Sequence, residues 1–253
     1  MAVWNPWHGC RKVSPGCRNC YVYRRDEEFG KDTRIIARTK SFDLPVKRNR
    51  QKAYKLQPED GPVYTCMTSD FLIEDADPWR EEIWNMIRLR TDLMFVIITK
   101  RIHRLAECIP EDWGDGYENV TVFCTCENQA YADARLPVFL EVPARHKGII
   151  HEPMLEQIQI ERYLADGQIE QVICGGESGP EARLCDYAWI LNTMEQCVRC
   201  DVPFHFKQTG ALFKKGNRIY RIDRKDQMTQ AAKAQADYRG KSGQERPVSG
   251  PQR

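Results

Sequence analysis

Short apolar runs alternate with amphipathic stretches along most of this chain, and that rhythm narrows the fold more than any other feature. The runs are 34–39, 62–67, 94–99, 119–125, 147–151, 169–174 and 203–207. Each is short and rich in Val, Ile, Phe or Cys, as strands buried on both faces are. Between them lie candidate helices. The stretch 77–90 opens on Asp77-Pro78, a cap followed by an N1 proline, and carries Ile83, Trp84 and Ile87 at helical spacing. Stretches 128–140 and 186–200 open on a capping Asn128 and Asp186. Segment 101–108 reads as a shorter helix, and 46–56 as a helix with a basic outer face. Repeated strand–helix alternation without hairpins predicts an α/β fold with a parallel sheet. It could close into a (β/α) barrel, partial or full and TIM-like, or stay open and doubly wound. The body is expected to be one domain, residues 1–210.

From residue 211 the pattern changes. Leu212 to Tyr220 reads as a hairpin turning on Gly216-Asn217, and 226–238 as a polar helix. Residues 239–253 have the composition of a disordered tail. This C-terminal extension, 211–253, holds eleven Lys/Arg against four Asp/Glu, which leaves the body mildly acidic although the chain as a whole carries only +2. The expected consequence is weak nucleic-acid contact through the basic tail. The longest apolar run, Leu93 to Ile98, is too short to cross a bilayer, so no membrane association is expected.

The chain has eleven cysteines, an odd count with no signal-peptide pattern before them, so a reducing, cytoplasmic setting is expected. Three of them, Cys10, Cys17 and Cys20, form a C-x6-C-x2-C spacing in a Gly- and Pro-containing loop. Thiolates suit iron–sulfur clusters or zinc. Three ligands are one short of a closed site, which suggests a metal with a position open for chemistry. The alternative is a zinc-stabilised, non-catalytic module for binding nucleic acid or protein, its fourth ligand coming from His8 or from the Cys197–Cys200 pair.

Charged and hydrogen-bonding residues follow the strands. Asp70 follows the second, Lys100 and Arg101 the third, Glu127 the fourth, and Glu152 the fifth. Gly175-Gly176-Glu177-Ser178 follow the sixth, and Lys207 closes the seventh. In a parallel α/β fold these points share the carboxyl rim, where active sites form. Lys100, Glu127, Glu152 and Lys207 are the candidate catalytic groups. Gly175, Gly176, Glu177, Ser178, Arg101 and Asp70 are the candidates for holding a cofactor. No Walker A segment and no G-x-S-x-G elbow is present.

The cysteine loop, the (β/α) run and the Gly-Gly-Glu segment together resemble the radical S-adenosylmethionine superfamily. More closely, the chain is similar to a divergent branch, the phage-associated three-cysteine-motif proteins. The matching pieces include Trp4-Asn5-Pro6, Val13-Ser14-Pro15-Gly16-Cys17, Asn19-Cys20-Tyr21, Thr99-Lys100-Arg101, Glu152-Pro153, Gly175-Gly176-Glu177-Ser178-Gly179-Pro180 and Phe206-Lys207-Gln208. The first cysteine gap is six residues where the superfamily usually has three. The resemblance implies a [4Fe–4S] cluster on Cys10, Cys17 and Cys20, with S-adenosylmethionine chelating its fourth iron and cleaved to a 5′-deoxyadenosyl radical. It also implies phage or mobile-element association, a substrate that it does not identify, and often a dedicated protein partner. On this reading Glu177 or Glu127 lies near the cofactor's amino or ribose groups. Lys100, Arg101 and Lys207 face its carboxylate or an anionic substrate.

Overall fold

A computed structural model describes residues 2–241. Seven strands form one parallel sheet: β1 (Ala2–Trp4), β2 (Val63–Thr65), β3 (Phe95–Thr99), β4 (Val120–Thr125), β5 (His146–His151), β6 (Ile169–Gly175) and β7 (Phe204–Gln208). Their spatial order follows their chain order without reversal. A doubly wound sheet has a switch point where the order turns back. Monotonic order is that of a (β/α) barrel, and the sheet curls as a half-barrel. The sheet is open, and the outer edge of β7 meets Tyr238, whose backbone exchanges two hydrogen bonds with Phe204 (2.7 and 2.9 Å).

Helix α1 (Tyr21–Glu28) lines a cavity with Val3 of β1, whereas α2 (Arg80–Leu89), α3 (Leu105–Cys108), α4 (Gln129–Glu141), α5 (Glu161–Leu164) and α6 (Tyr187–Arg199) cover the convex face, and α7 (Gln227–Lys233) packs on β7. Period-2 alternation divides the strand residues between two cores. Phe95, Ile97, Val122, Cys124, Ile149 and Val172 belong to the large core with Ile83, Trp84, Leu136, Phe139 and Ile190. Val96, Phe123, Ile150 and Ile173 form a small second cluster with Tyr64 and Ile98 on the concave side. Gly148 makes room for it: a Cβ there would fall 2.2 Å from the Phe123 ring.

Six of the seven expected strands are members of the sheet. The seventh is not segment 34–39. Only Ala37–Arg38 of that segment is extended, and it pairs antiparallel with Trp7–His8 outside the main sheet, with Ile35 67% exposed. The sheet position beside β2 belongs to Ala2–Trp4, whose fully buried Trp4 anchors it. Segment 46–56 is not a helix either. The Arg90 guanidinium is buried and collects the carbonyls of Pro45 and Leu56. This fixes both ends of an excursion that folds back on itself between Arg48 and Tyr54.

Two of the three expected caps are present; Asp77 and Pro78 instead lie inside a 3₁₀ helix, Glu74–Trp79, and α2 begins at Arg80 without a side-chain cap. Asn128 accepts from the Tyr131 N–H (3.0 Å) and Asp186 from the Ala188 N–H (3.0 Å). The hairpin Leu212–Lys215 and Arg218–Arg221 forms as expected and joins Cys185–Asp186 in a three-stranded sheet. The expected helix 226–238 is shortened to α7. The tail expected to be disordered, 239–253, lies largely outside the described residues. Among the described residues no helix is long and apolar enough to cross a membrane.

Candidate functional site: the cysteine loop on the carboxyl rim

The cysteine loop leaves the carboxyl end of β1 and ends where Cys20 caps α1. Its entry is rigid. Trp7 is fully buried against Phe71 and Trp79 and donates its indole N–H to the Asp70 carbonyl (3.3 Å). Gly9 has φ +100°, and a Cβ would lie 2.4 Å from the Ile35 oxygen, so only glycine fits there. The Cys10 N–H donates to the Thr33 carbonyl (2.8 Å), and the Tyr23 hydroxyl donates to the Cys10 carbonyl (2.6 Å).

Charged residues at successive strand ends then fasten the loop. After β2, Asp70 accepts from the Thr99 hydroxyl (2.7 Å) and from the Lys100 N–H (3.0 Å), and pairs with Arg101 (3.3 Å). Arg101, after β3, is 2% exposed and donates to the Arg11 carbonyl (3.0 Å) while its other end nitrogen stands 3.9 Å from Cys10 Sγ. After β4, the fully buried Glu127 accepts from the Gly16 N–H (3.2 Å) and pairs with Arg135 (2.8 Å). After β6, Glu177 accepts from the Asn19 amide (3.0 Å) and from the Arg183 N–H and guanidinium (each 2.9 Å). Arg183 also reaches back to the Pro15 carbonyl (2.9 Å), and Arg24 donates to the Ser178 carbonyl (2.8 Å).

A separate pair sits between β5 and β7. Lys207 and Glu152 form an ion pair at 2.7 Å, and the Gln208 amide also donates to Glu152. Gly176 is spatially required, since a Cβ there would stand 2.2 Å from the Thr209 carbonyl oxygen; a Cβ at Gly175 would stand 3.0 Å from the Glu152 carboxylate, which would have to shift slightly.

These contacts determine the charge states. Burial works to raise the carboxyl pKa of Glu127, but Arg135, the Ser14 hydroxyl and Lys100 outweigh it and hold it below its ordinary value. Burial opposes ionisation of Glu177 in the same way, and is overcome by Arg183 and Asn19. Glu152 holds the Lys207 ammonium charged and raises its pKa. Burial and then Asp70 push the Cys10 thiol up to about 11, against the opposing pull of Arg101.

All the rim residues expected from the sequence stand on one face, and the structure shows what occupies them. Asp70, Arg101, Glu127 and Glu177 hold the loop; Glu152 and Lys207 hold each other. The Lys100 side chain differs: among the described residues its ammonium has no hydrogen bond or ion pair. The sequence reading missed Asn19, Arg135 and Arg183. Their signal was only their charge or amide, since the partner of Asn19 lies 158 residues away and those of Arg135 and Arg183 lie eight and six residues away.

The proposed fourth ligands for a zinc knuckle are engaged elsewhere. His8 Nε2 lies 2.9 Å from both Asp26 oxygens, and Cys197 is fully buried in α6. Among the described residues no three His, Cys, Asp or Glu side chains stand in ligating geometry. In donor type the three loop thiols suit a metal, and all are half-exposed, whereas seven of the other eight cysteines are buried.

No curated protein and no solved structure matches the chain. A family model described as a protein of unknown function, DUF5131, matches residues 1–247, so the chain belongs to that family.

Proposed function

We propose that Cys10, Cys17 and Cys20 hold a [4Fe–4S] cluster at the mouth of the half-barrel and that the protein is a radical S-adenosylmethionine-type enzyme. The observation that carries this reading is the convergence of one half-exposed three-thiol loop with charged ends from β2, β3, β4 and β6. A structural loop has little need of so many buried anchors; a loop that must keep three sulfurs at a fixed site does. When bound, the cluster and S-adenosylmethionine would supply one-electron reductive cleavage of a carbon–sulfur bond.

The chain's own residues perform the rest. Glu127 and Glu177, both ionised, clamp the two halves of the loop through Gly16 and Asn19. Arg101 holds the Cys10 end. Lys100, whose ammonium has no hydrogen bond or ion pair among the described residues, can meet a carboxylate or another anion. The Lys207–Glu152 pair, beside Tyr64, would orient a polar substrate in the concave mouth. Water is limited there by the apolar floor of Val96, Phe123, Ile150 and Ile173.

Anaerobic reconstitution tests this directly. The expected result is about four irons with matching sulfide per chain, and slow formation of 5′-deoxyadenosine from S-adenosylmethionine under reduction. One zinc without sulfide, and no cleavage, would replace this reading with the binding module.

A further inference from the structure

We propose a second ligand site, outside the cysteine mouth, that takes a small phosphate ester carrying an apolar or aromatic group. It is a cavity of about 450 Å³ on the side of β1, between α1 and segment 39–41. That size is within the range of ordinary small-molecule sites. None of the three loop cysteines lines it, and neither do Lys100, Glu127, Glu152, Glu177 or Lys207.

Charge argues for an anion. Arg25 and Lys31 line the cavity, and among the described residues neither charged group has a hydrogen bond or ion pair. The lining has one carboxylate, Asp26, and it is covered: His8 meets both its oxygens at 2.9 Å and the Thr33 hydroxyl donates to it at 2.7 Å. The cavity is therefore left with a surplus of positive charge. Thr39 and Ser41 add hydroxyl-bearing residues to the same lining. A tetrahedral phosphate can accept from Arg25, Lys31 and hydroxyls at once.

The apolar part of the lining argues for an apolar body on the ligand. Tyr21 and Phe29 flank Arg25 one helical turn away on either side, Val3 also lines the cavity, and the three are 39%, 67% and 40% exposed. Three large apolar side chains facing solvent around a cationic cavity are a place for a ring to lie.

Calorimetry on the full chain with three probes tests this. Phenyl phosphate should bind one to one and about tenfold more tightly than either inorganic phosphate or phenol. Arg25→Ala/Lys31→Ala should weaken both phosphates by about tenfold or more, the loss expected for charge-assisted hydrogen bonds. Phe29→Ala should weaken phenyl phosphate and leave inorganic phosphate unchanged. All three substituted side chains are exposed, so melting temperatures should stay with the wild type. Cys10→Ala/Cys17→Ala/Cys20→Ala should retain phenyl phosphate binding, which separates this site from the cysteine mouth. The proposal fails if the wild-type chain shows no saturable binding of phenyl phosphate. It fails equally if the double variant binds as tightly as the wild type, since the anion would then be held elsewhere.

Discussion

The cysteines of this chain fall into two populations that differ in surroundings while sharing one side chain. Cys10, Cys17 and Cys20 are half-exposed on a loop gripped by charged groups. Cys66, Cys108, Cys124, Cys126, Cys174, Cys185 and Cys197 are buried, and all belong to the large apolar core. Burial pushes the thiols of Cys66, Cys126, Cys174 and Cys197 well up, and that of Cys185 up to about 12. Such thiols stay protonated and behave as small apolar groups. Even Cys124 and Cys126, with sulfurs 3.9 Å apart, lie side by side in the core. Cysteine number therefore says little about metal chemistry here; position relative to the rim says more.

Substitution separates the two groups most sharply. Cys10→Ala/Cys17→Ala/Cys20→Ala should abolish iron uptake completely, whereas Cys197→Ala/Cys200→Ala should leave iron and sulfide content unchanged. Iron retained by the loop variant would erase the distinction. Alkylation should show it in the native metal-free chain as well. Iodoacetamide should label Cys17 and Cys20 about a hundredfold faster than Cys124, Cys174 and Cys197, which react only through opening of the core. Mass spectrometry of timed digests reads the ratio, and comparable rates would show that the core cysteines are accessible.

The loop's anchors give the next effect. Glu127→Ala removes one half of a buried ion pair, leaves Arg135 uncompensated and frees Gly16. A loss of about 3–5 kcal/mol in urea unfolding is expected. A loss below about 1 kcal/mol would show that the anchor is dispensable. Cys197→Ala, by contrast, deletes one sulfur from a packed core and should cost about 1 kcal/mol.

Acid provides the smallest and most graded test. Glu127 and Glu177 have pKa values lowered in the folded state from an ordinary 4.5. Between the folded and unfolded values the unfolded chain binds more protons, so stability rises with pH there. Their contribution is complete above about pH 5 and disappears as pH falls through the lowered folded values. Glu127→Gln/Glu177→Gln should flatten the stability–pH slope below pH 5 relative to wild type. An unchanged slope would mean that other carboxylates dominate acid unfolding.

Much of the architecture was legible because it rests on local periodicity. Continuous apolar runs such as Phe95–Thr99 and Val120–Thr125 are readable as strands buried on both faces. The errors came where local signal and tertiary demand disagree. Arg34–Thr39 contains Ile35-Ile36 and looks like a strand, yet Ile35 faces solvent. Ala2–Trp4 is three residues long with no visible period, yet it forms the first strand of the sheet because it pairs with β2 and buries Trp4. The helix Tyr21–Glu28 was missed for a related reason: only Val22 and Asp26 are buried, so it shows scarcely any apolar stripe.

By itself the sequence determined a parallel α/β sheet, a three-thiol loop at the amino end and polar groups after nearly every strand. These follow from residue spacing, which local backbone geometry translates directly into faces and ends. Only the tertiary structure decided that the sheet stays a half-barrel, with Tyr238 on the edge where closure would occur. Only it decided that Glu127 reaches Gly16 and Glu177 reaches Asn19, contacts spanning 111 and 158 residues. The physical reason is that a buried charge takes whatever partner the curled sheet brings within hydrogen-bonding distance, and spacing along the chain carries no record of that curvature.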